Sequence, residues 1–444
     1  MRIAHITAGA GHMYCGSCLR DNVLAAALLD AGHDVVLIPT YTPTRPEGRN
    51  VSLHRVFMGG INVFLQEHLP FFRRTPRFLN RLLDTAPLLR LATMRGISVD
   101  PHQLGRLTVS MLRGADGAQH RPVLELIRFL ADDLSPEVVN LPNSLLIALA
   151  PAIKRELGVP VVCTLQGEDG FLEDLGQTYR DEALRLIREH AAAVDAFAAV
   201  SEYGADKMSE YLGIARSRIH VVPVGIDFDG HARASLDGQP FTIGYLARIA
   251  PEKGLHVLCE VYRRLRATPG CPPTRLLVGG YLAPEHRSYL EGIREQMEAW
   301  GLAGHLEYRG APDRAHKLAF LQGLSVLSVP SPKPTQKGQF VLEAMASGVP
   351  VVQPRLGAYP EVVESTGGGI LTEPGDLDGL VSAFLALAAN VERRKQLGAA
   401  AYEGVRARYG VPQMVARIME VYGSLVSQPR GAALETCAAD LRQE

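Results

Sequence analysis

The sequence predicts an α/β protein built from two consecutive doubly wound domains, each a parallel sheet covered by helices on both faces. Three observations support this prediction. The chain has 444 residues, and at roughly 150 residues per domain this length favours two or three domains. Short β-branched runs alternate with helical patterns along the first part of the chain, as they do in parallel βαβ units. The same alternation begins again after a turn-rich segment that starts near Asp227.

Each domain is predicted from its own series of strands and helices. The first series predicts strands at residues 3–7, 35–39, 138–141, 161–165, 197–200 and 220–223. Its helical patterns lie at residues 19–31, 145–157, 181–193 and 203–212. The second series predicts strands at residues 242–246, 275–278, 306–308, 324–329 and 349–353, with helical patterns at 254–267, 284–300, 315–321 and 340–346. Two such domains are expected to turn the carboxyl ends of their sheets toward a cleft that binds the ligand.

The domain boundaries are placed where the patterns change. Residues 229–240 lose periodicity and gain turn formers, so they predict a linker between a first domain at 1–228 and a second domain at 241–410. A helical pattern at 411–427 is predicted to cross back onto the first domain, and residues 428–444 form a tail.

A long, mostly helical and arginine-rich pattern at about 59–136 interrupts the first series, and it predicts a helical insert in the first domain. The stretch from Phe71 to Arg81 within it carries four arginines, the first at Arg73 and the last at Arg81, among aromatic residues. Such a stretch is either a solvated helix face or a cationic surface that contacts the acceptor or a membrane. Both interpretations stay open.

The composition is that of an ordinary globular protein. Hydrophobic residues make up 47% and charged residues 21%, and the formal net charge of -1 gives no overall bias toward nucleic acid. The N-terminus lacks the features of a signal peptide, and no apolar run approaches the ~20 residues of a spanning helix. Six cysteines in so long a chain suit a reducing compartment. The predicted location is therefore cytoplasmic, with the arginine-rich stretch as a candidate peripheral membrane contact.

The first candidate binding segment is GYLARIAPEKG at residues 244–254. A predicted strand that contains Gly244 delivers Arg248 at its carboxyl end, and Lys253 lies at the start of the next helical pattern. Arginine can hold phosphate oxygens as a planar fork, and lysine adds a mobile point charge. Free N–H groups at the start of a helix also favour an anion. Considered alone, this spacing is typical of surface cations at a loop-to-helix junction, and only the strand placement and the second segment favour a binding role.

The second candidate segment, at residues 338–350, begins with Gly338 and contains Glu343. Because glycine has no Cβ, the backbone amides beside it can approach a phosphate closely. We expect Glu343 in the first helical turn, where it either caps the helix dipole or accepts hydrogen bonds from the vicinal hydroxyls of a ribose. Together the two segments supply the cations, amides and carboxylate that a nucleotide sugar needs.

These residues resemble the retaining, nucleotide-sugar-dependent glycosyltransferases of family four, which have the GT-B fold. The resemblance runs from Met1 to about Tyr422 and includes the motifs AVSE at 199–202, VPVGID at 222–227 and GAYPE at 357–361. It implies a catalytic set in which Arg248 and Lys253 hold the donor diphosphate and Glu343 holds the ribose. It implies no metal and no other cofactor. The implied donor-binding positions, which include a first-domain loop that closes over the donor, are Gly11, Gly16, Gly244, Thr335, Lys337, Gly338, Gln339, Phe340 and Val341.

Two positions depart from the family pattern. The family places a second glutamate eight residues before the position of Glu343, where it contacts the donor sugar, and this chain has Thr335 there. The family also often has a histidine where this chain has Gln166, which can hydrogen-bond a sugar hydroxyl but cannot act as a base. Glu168 and Asp169 follow, and each is either an acceptor-binding carboxylate or an exposed acid at a helix start.

The resemblance implies transfer of a glycosyl group, with retention of configuration, from a nucleoside-diphosphate sugar to a hydroxyl of a sugar, glycan or lipid-linked acceptor. Two alternatives stay open: a sugar-nucleotide epimerase on the same scaffold, and a sugar-nucleotide or glycan-binding protein with weak turnover, which Thr335 suggests. Asp227 and Asp229 form a D-x-D pattern, but they lie at the start of the turn-rich segment. Cys15 and Cys18 lack a second pair, so no metal site is predicted.

Overall fold

The computed structural model describes residues 1–9, 16–44, 46, 48–58, 101–238 and 240–427. Gly11, Cys15, the stretch from Arg73 to Arg81 and the tail at 428–444 lie outside these residues, so the predictions made for them are not tested. The chain divides into two compact units. The first contains residues 1–200, 205–222 and the chain from Met414 onward, and the second contains residues 201–204 and 223–413.

The first unit is built around a six-stranded parallel sheet with the order β2-β1-β3-β4-β5-β6. Its strands are β1 (Arg2–Thr7), β2 (Asp34–Pro39), β3 (Val138–Leu141), β4 (Val161–Leu165), β5 (Ala196–Ala199) and β6 (Ile219–Val221). The helices that follow them are α1 (Gly16–Asp30), α2 (Pro101–Leu112), α3 (His120–Arg128), α4 (Ala150–Leu157), α5 (Asp169–Glu173), α6 (Gln177–Ala191) and α7 (Glu202–Leu212). The described part of the predicted insert is therefore helical, since it consists of α2, α3 and short helical turns.

The second unit contains another six-stranded parallel sheet, with the order β12-β11-β10-β7-β8-β9. Its strands are β7 (Phe241–Leu246), β8 (Thr274–Gly279), β9 (Leu306–Tyr308), β10 (Val326–Leu327), β11 (Val351–Pro354) and β12 (Gly369–Thr372). Its helices are α8 (Leu255–Ala267), α9 (Arg287–Ala299), α10 (Arg314–Gln322), α11 (Gln339–Ala346), α12 (Tyr359–Thr366), α13 (Leu377–Ala389) and α14 (Val391–Arg408). The last helix, α15 (Val411–Val426), returns the chain to the first unit.

The predicted fold class is confirmed. Every predicted strand occurs, and each end lies within two residues of the prediction. The short strand β12 was not predicted, because it follows a run of glycines, which have low strand propensity, and it pairs only with β11 at the edge of the sheet. The central strands are buried on both faces, so they are continuous apolar runs rather than alternating patterns.

Strand order reverses once in each sheet. In the first sheet the reversal lies between β1 and β3, and in the second it lies between β7 and β10. Where the order reverses, the loops after the two neighbouring strands leave in opposite directions and open a crevice at the carboxyl ends of the strands. The fold thus favours a ligand site at each of these two edges. At the second edge, the loop after β7 carries Arg248 and Lys253, and the chain after β10 leads to Gly338.

The segment predicted as a linker is held against the second unit by basic side chains. Arg314 donates to Asp227 Oδ2 at 2.9 Å and to the carbonyl oxygen of Asp229 at 2.8 Å. Arg394, which is fully buried, donates to the carbonyl oxygen of Leu236 at 3.0 Å. These contacts explain the D-x-D pattern, because one of its carboxylates is the partner of an arginine.

Candidate active site

The two predicted cations after β7 differ in their surroundings. The Arg248 side chain is 55% exposed, and its Nη2 donates to Glu252 Oε1 at 2.5 Å. Lys253 is half-buried at the end of a 3-10 turn, Pro251–Lys253. Burial lowers the pKa of Lys253, and the neighbouring charge of Arg248 lowers it further, whereas Glu252 opposes the shift. The turn therefore brings both cations to the carboxyl end of β7, as the sequence predicted.

A close backbone contact joins the loop after β7 to the loop after β10. Gly254 has a φ of +74°, and a Cβ at this position would lie 2.2 Å from the carbonyl oxygen of Pro330. The hydroxyl of Ser331 donates to the carbonyl oxygen of Glu252 at 2.7 Å. Only glycine fits this contact and this backbone conformation. The cations after β7 are thereby fixed next to the chain that leads to α11.

The amides at the start of α8 are less available than the sequence suggested. The helix begins at Leu255, after the left-handed Gly254, and the N–H group of His256 donates to the hydroxyl of Tyr289 at 3.2 Å. The expectation of free N–H groups in this first turn is therefore wrong at His256. A hydroxyl oxygen from α9 already accepts from this N–H, so an anion after β7 would have to be held mainly by side chains.

The start of α11 retains free amides. Gly338 is the N-cap, with a φ of +57° that other residues rarely adopt. Its carbonyl oxygen accepts from the N–H of Val341 at 2.9 Å. Within the described residues, the N–H groups of Gln339 and Phe340 have no acceptor. Two donors at the positive end of a helix therefore remain for an anion.

Glu343 lies one turn deeper than predicted. It is the fifth residue of α11 and is only 7% exposed, so the expectation that it lies in the first turn, as a candidate dipole cap, is wrong. Its Oε1 accepts from Lys317 Nζ at 3.0 Å and from Gln339 Nε2 at 3.2 Å. Within the described residues, Oε2 has no hydrogen-bond partner, which leaves it able to accept from a ribose hydroxyl.

Lys317 was missed by the sequence analysis. It lies on α10, which is N-capped by Asp313, and it is 7% exposed on the same helix face as Phe320 and Leu321. The available signal was its spacing, since Lys317 precedes two core residues by three and four positions. A lysine on the buried face of a helix is rarely tolerated unless its charge has a partner. Its partner is Glu343, and the pair fixes the carboxylate on the helix that starts at Gly338.

Thr335 and Gly244 have clear structural surroundings. The carbonyl oxygen of Thr335 accepts from the N–H of Ala358 at 2.9 Å, and a Cβ on Gly357 would lie 2.4 Å from that oxygen. The half-buried threonine is thus fixed by its backbone. Gly244 lies inside β7, where a Cβ would meet Leu324 Cδ1 at 2.3 Å. Packing therefore accounts for this glycine, and its role in donor binding stays a prediction.

At the carboxyl edge of the first sheet, a buried network surrounds Asp21. The carboxylate accepts from Thr7 Oγ1 at 3.0 Å and from Gln166 Nε2 at 3.3 Å, and Arg20 Nη1 lies 3.7 Å away. Gln166 Nε2 also donates to the carbonyl oxygen of Pro142 at 2.9 Å. Both partners of this amide nitrogen are acceptors, which fixes the orientation of the amide. Gln166 Oε1 is buried and has no hydrogen-bond donor among the described residues.

The two acids after Gln166 have different positions. Glu168 is 7% exposed, and its carboxylate accepts from the N–H groups of Ser144 at 2.8 Å and Gln166 at 2.7 Å. Of the two alternatives given for Glu168, an exposed acid at a helix start is therefore excluded. Burial raises the pKa of Glu168, and these backbone donors oppose the shift. Both carboxylate oxygens are engaged, so Glu168 holds the loop in shape, while Asp169 is the half-buried first residue of α5.

Gly16 is the first residue of α1, directly after a segment that lies outside the described residues.

No group of three or more His, Cys, Asp or Glu residues in the described part of the chain is arranged to hold a metal. None of the described helices combines the length and the apolar character that a membrane span requires.

Comparison with known families agrees with this geometry. The family model described as Glycosyltransferase Family 4 matches residues 95–229. The model described as Glycosyl transferases group 1 matches residues 229–404, which contain the two cations after β7 and the whole of α11. This chain belongs to the group 1 glycosyltransferases of family four. The two models meet at residue 229, which is the start of the predicted linker.

Curated relatives of this chain have several different names. A phosphatidyl-myo-inositol mannosyltransferase from Mycolicibacterium smegmatis is 31% identical over 242 residues, which cover 53% of this chain and 59% of the relative. A 2-deoxystreptamine N-acetyl-D-glucosaminyltransferase from Streptomyces fradiae is 29% identical over 238 residues, or 51% of this chain and 55% of the relative. The match thus spans less than two thirds of either relative.

Solved structures show that this chain has the GT-B fold. The Anabaena protein HepE in complex with UDP and glucose matches with a TM-score of 0.67 at 18% identity, covering 96% of this chain and all of that one. A sucrose-phosphate synthase from Thermosynechococcus elongatus matches with a TM-score of 0.68 at 16% identity, covering 95% and 98%. At these identities the likeness concerns the fold alone.

Proposed function

We propose that this protein transfers a glycosyl group from a nucleoside-diphosphate sugar to an acceptor hydroxyl, with retention of anomeric configuration and without a metal. The observation that carries the proposal is the arrangement at the carboxyl edge of the second sheet. There, Arg248 and Lys253 lie on the loop that touches the chain leading to Gly338, and two N–H groups at the start of α11 have no acceptor in the described part of the chain. This set has the charge and the donors that a diphosphate requires.

In this proposal, electrostatic stabilisation of the leaving group is the main catalytic effect. The bond between the anomeric carbon and the phosphate oxygen breaks, and negative charge develops on the diphosphate beside Arg248 and Lys253. The acceptor oxygen bonds to the same face of the sugar, and its proton moves to the leaving phosphate oxygen. Preorganised cations are worth most in such a step because they do not reorganise during the reaction. Glu343 would accept from the ribose through Oε2 and so fix the nucleotide.

The acceptor side of the proposal rests on Gln166. A buried carbonyl oxygen without a donor is costly, and a hydroxyl of the acceptor would satisfy it. Because Asp21 and Pro142 hold the amide nitrogen, Gln166 Oε1 has a fixed direction. The name of the mycolicibacterial relative includes a lipid-linked inositol. We propose the same broad acceptor class here, a sugar, glycan or lipid-linked polyol in glycan or glycolipid biosynthesis. The cytoplasmic location and the peripheral membrane contact stay predictions.

The proposal is tested first by binding. UDP, GDP and ADP are each added to the purified protein, and thermal unfolding is followed. The nucleotide of the true donor should stabilise the protein by about 2.7 kcal/mol at 100 times its Kd. The proposal is contradicted if UDP, GDP and ADP all fail to bind.

The second test uses turnover without an acceptor. A glycosyltransferase slowly hydrolyses its donor to free sugar and nucleoside diphosphate, whereas an epimerase changes the sugar while it stays attached. Arg248→Ala should lower the hydrolysis rate by on the order of 10²-fold, as the loss of one oxyanion donor does elsewhere. Arg309→Ala is the matched control, because Arg309 is also 55% exposed and pairs with a glutamate of the same unit. A normal rate for Arg248→Ala would refute the assigned role.

A further inference from the structure

An arginine near the start of α1 is buried without hydrogen bonds. Arg20 is the fifth residue of this helix and is only 4% exposed. Within the described residues, its Nε, Nη1 and Nη2 atoms have no hydrogen-bond acceptor. A guanidinium stays charged and carries five N–H donors, so leaving them unpaired inside a protein is costly. A ligand that accepts several hydrogen bonds would remove this cost.

The charge of Arg20 has a partner, but its N–H groups do not. Asp21 Oδ1 lies 3.7 Å from Arg20 Nη1, which is too far for a hydrogen bond. The oxygens of Asp21 have other donors, since Oδ2 accepts from Thr7 and Oδ1 accepts from Gln166. Burial lowers the pKa of the Arg20 guanidinium, and the charge of Asp21 opposes this shift. Asp21 therefore balances the charge of Arg20 and leaves its donors for another acceptor.

Other unsatisfied polar atoms lie beside the same ion pair. Gln166, whose Nε2 donates to Asp21, has the buried Oε1 without a donor. The hydroxyl of Tyr422, on α15, is also buried and has no hydrogen-bond partner in the part of the chain that the structure describes. Burial raises the pKa of Tyr422, and the charges of Arg20 and Asp21 act on it in opposite directions. This hydroxyl therefore lies close to the ion pair.

These groups are located at the carboxyl edge of the first sheet. The helix α1 follows β1, and β1 borders the reversal of strand order, where a crevice is expected. Gln166 directly follows β4, and Tyr422 belongs to the same compact unit. The unpaired donors of Arg20 thus lie at the edge to which the acceptor is assigned.

We propose that the acceptor carries a phosphate ester, which is bound by the guanidinium of Arg20 and the hydroxyl of Tyr422, while Gln166 accepts from a nearby hydroxyl of the acceptor. The inference rests on the proposed function and names its acceptor class. A phosphate offers several oxygens to the planar fork of an arginine, whereas a neutral hydroxyl would satisfy one donor of the five. The phosphate belongs either to a soluble polyol phosphate or to the headgroup of a phospholipid. The competing explanation is that Arg20 only balances the charge of Asp21.

The experiment compares acceptors with and without a phosphate. The protein is first saturated with the nucleoside diphosphate that it binds, so that the cations of the second edge are occupied. Calorimetry at constant ionic strength then measures the affinity for glycerol 3-phosphate against glycerol, and for glucose 6-phosphate against glucose. A further arm measures binding to phosphatidylcholine vesicles with and without phosphatidylglycerol. In the soluble arms or in the vesicle arm, the added phosphate ester should increase affinity at least about tenfold, because charge-assisted hydrogen bonds are added.

Variants assign this preference to the buried cluster. Arg20→Lys keeps a charge beside Asp21 but lacks the fork, so it should lose most of the preference. Tyr422→Phe removes one donor and should lose less. Arg49→Lys is the matched control, because Arg49 pairs with Asp30 at the other end of α1 and both side chains are more than 60% exposed, at 64% and 66%. Its preference should equal that of the parent, and every variant should keep the parent's affinity for the nucleoside diphosphate, which shows that it is folded.

The outcomes separate the two proposals. If the nucleoside diphosphate binds but no arm prefers the phosphate ester, the inference is wrong and the proposed function stands. A preference that is unchanged in Arg20→Lys and Tyr422→Phe also refutes the inference, and leaves Arg20 as a structural partner of Asp21. A preference in the vesicle arm alone assigns the phosphate to a lipid headgroup. If UDP, GDP and ADP all fail to bind, the proposed function is wrong and the inference falls with it.

Discussion

The carboxyl edges of the two sheets have the same strand architecture but different side chains. Each sheet has six parallel strands and one reversal of strand order. At the first edge, Asp21 and Gln166 lie in a buried hydrogen-bond network that ends in one neutral acceptor oxygen. At the second edge, the Arg248 side chain is 55% exposed and is accompanied by several lysines.

This difference shows which part of the sequence decides what each edge binds. Strand order decides where a crevice opens, and the loops after the strands decide whether it suits a hydroxyl or an anion. A buried neutral oxygen selects a ligand by the direction of its hydrogen bond, since only a donor in the right place can bond to it. Exposed cations act over a longer range and are screened by salt.

The largest expected effect concerns the ion pair of the second edge. Lys317→Met should destabilise the protein by about 3–5 kcal/mol, because it leaves the buried carboxylate of Glu343 without a cation. Urea unfolding of the parent and the variant measures this change. The double variant Lys317→Met with Glu343→Gln should be less destabilised than the single variant, because it removes the uncompensated charge.

Lys395→Met is the control for this prediction. Lys395 pairs with Asp237, but the two side chains are 46% and 58% exposed, so the loss should stay below about 1 kcal/mol. Equal losses for Lys317→Met and Lys395→Met would mean that the pair with Glu343 is not buried in solution.

The next effect tests the first edge. Gln166→Met keeps the approximate shape of the side chain and removes Oε1, so kcat/KM for the acceptor should fall by about tenfold or more. The affinity for the nucleoside diphosphate should change little, because that ligand is assigned to the second edge. Gln119→Met removes another fully buried glutamine of the first unit and should leave acceptor turnover near that of the parent. A loss of nucleotide affinity in Gln166→Met would contradict the division of roles.

The smallest effect concerns pH. His231 is 9% exposed, and its Nδ1 lies 2.8 Å from Ser347 Oγ. Burial lowers its pKa to about 4, and Arg314, Lys317 and Arg406 act in the same direction, while Asp227 opposes them. As pH falls, the unfolded chain therefore takes up a proton at His231 before the folded protein does. The contribution of neutral His231 to the free energy of unfolding is thus full above about pH 6.5 and is lost as pH falls toward 4. The loss should be on the order of 1–2 kcal/mol at pH 5.

Urea unfolding of the parent and of His231→Gln between pH 7 and pH 4.5 measures this contribution. Other groups titrate in the same range, so the quantity of interest is the difference between the two proteins. The variant should have a flatter profile than the parent. Parallel profiles would show that His231 is not buried in its neutral form.

Sequence patterns were sufficient to predict the two sheets and the charged loops that follow their strands. The βαβ alternation predicted both sheets, and the positions of Arg248 and Lys253 followed from their place after β7. The surroundings of Glu343 did not follow, because the start of α11 depends on the left-handed Gly338, and the partner Lys317 is contributed by another helix. The burial of Glu168 was missed for a similar reason. Its partners are backbone amides, one of them on Ser144, that come together only in the folded chain.

The hydroxyl of Tyr289 at the start of α8 has a consequence for how this protein could change. Because it accepts the N–H of His256, one backbone donor at the start of α8 is already used. Under the proposed function, the attraction for a phosphate after β7 would therefore depend more on the side chains of Arg248 and Lys253. Side chains can be replaced one at a time without altering the backbone. If this edge binds the donor as proposed, single substitutions in the two loops should alter donor preference, which makes these loops a starting point for engineering.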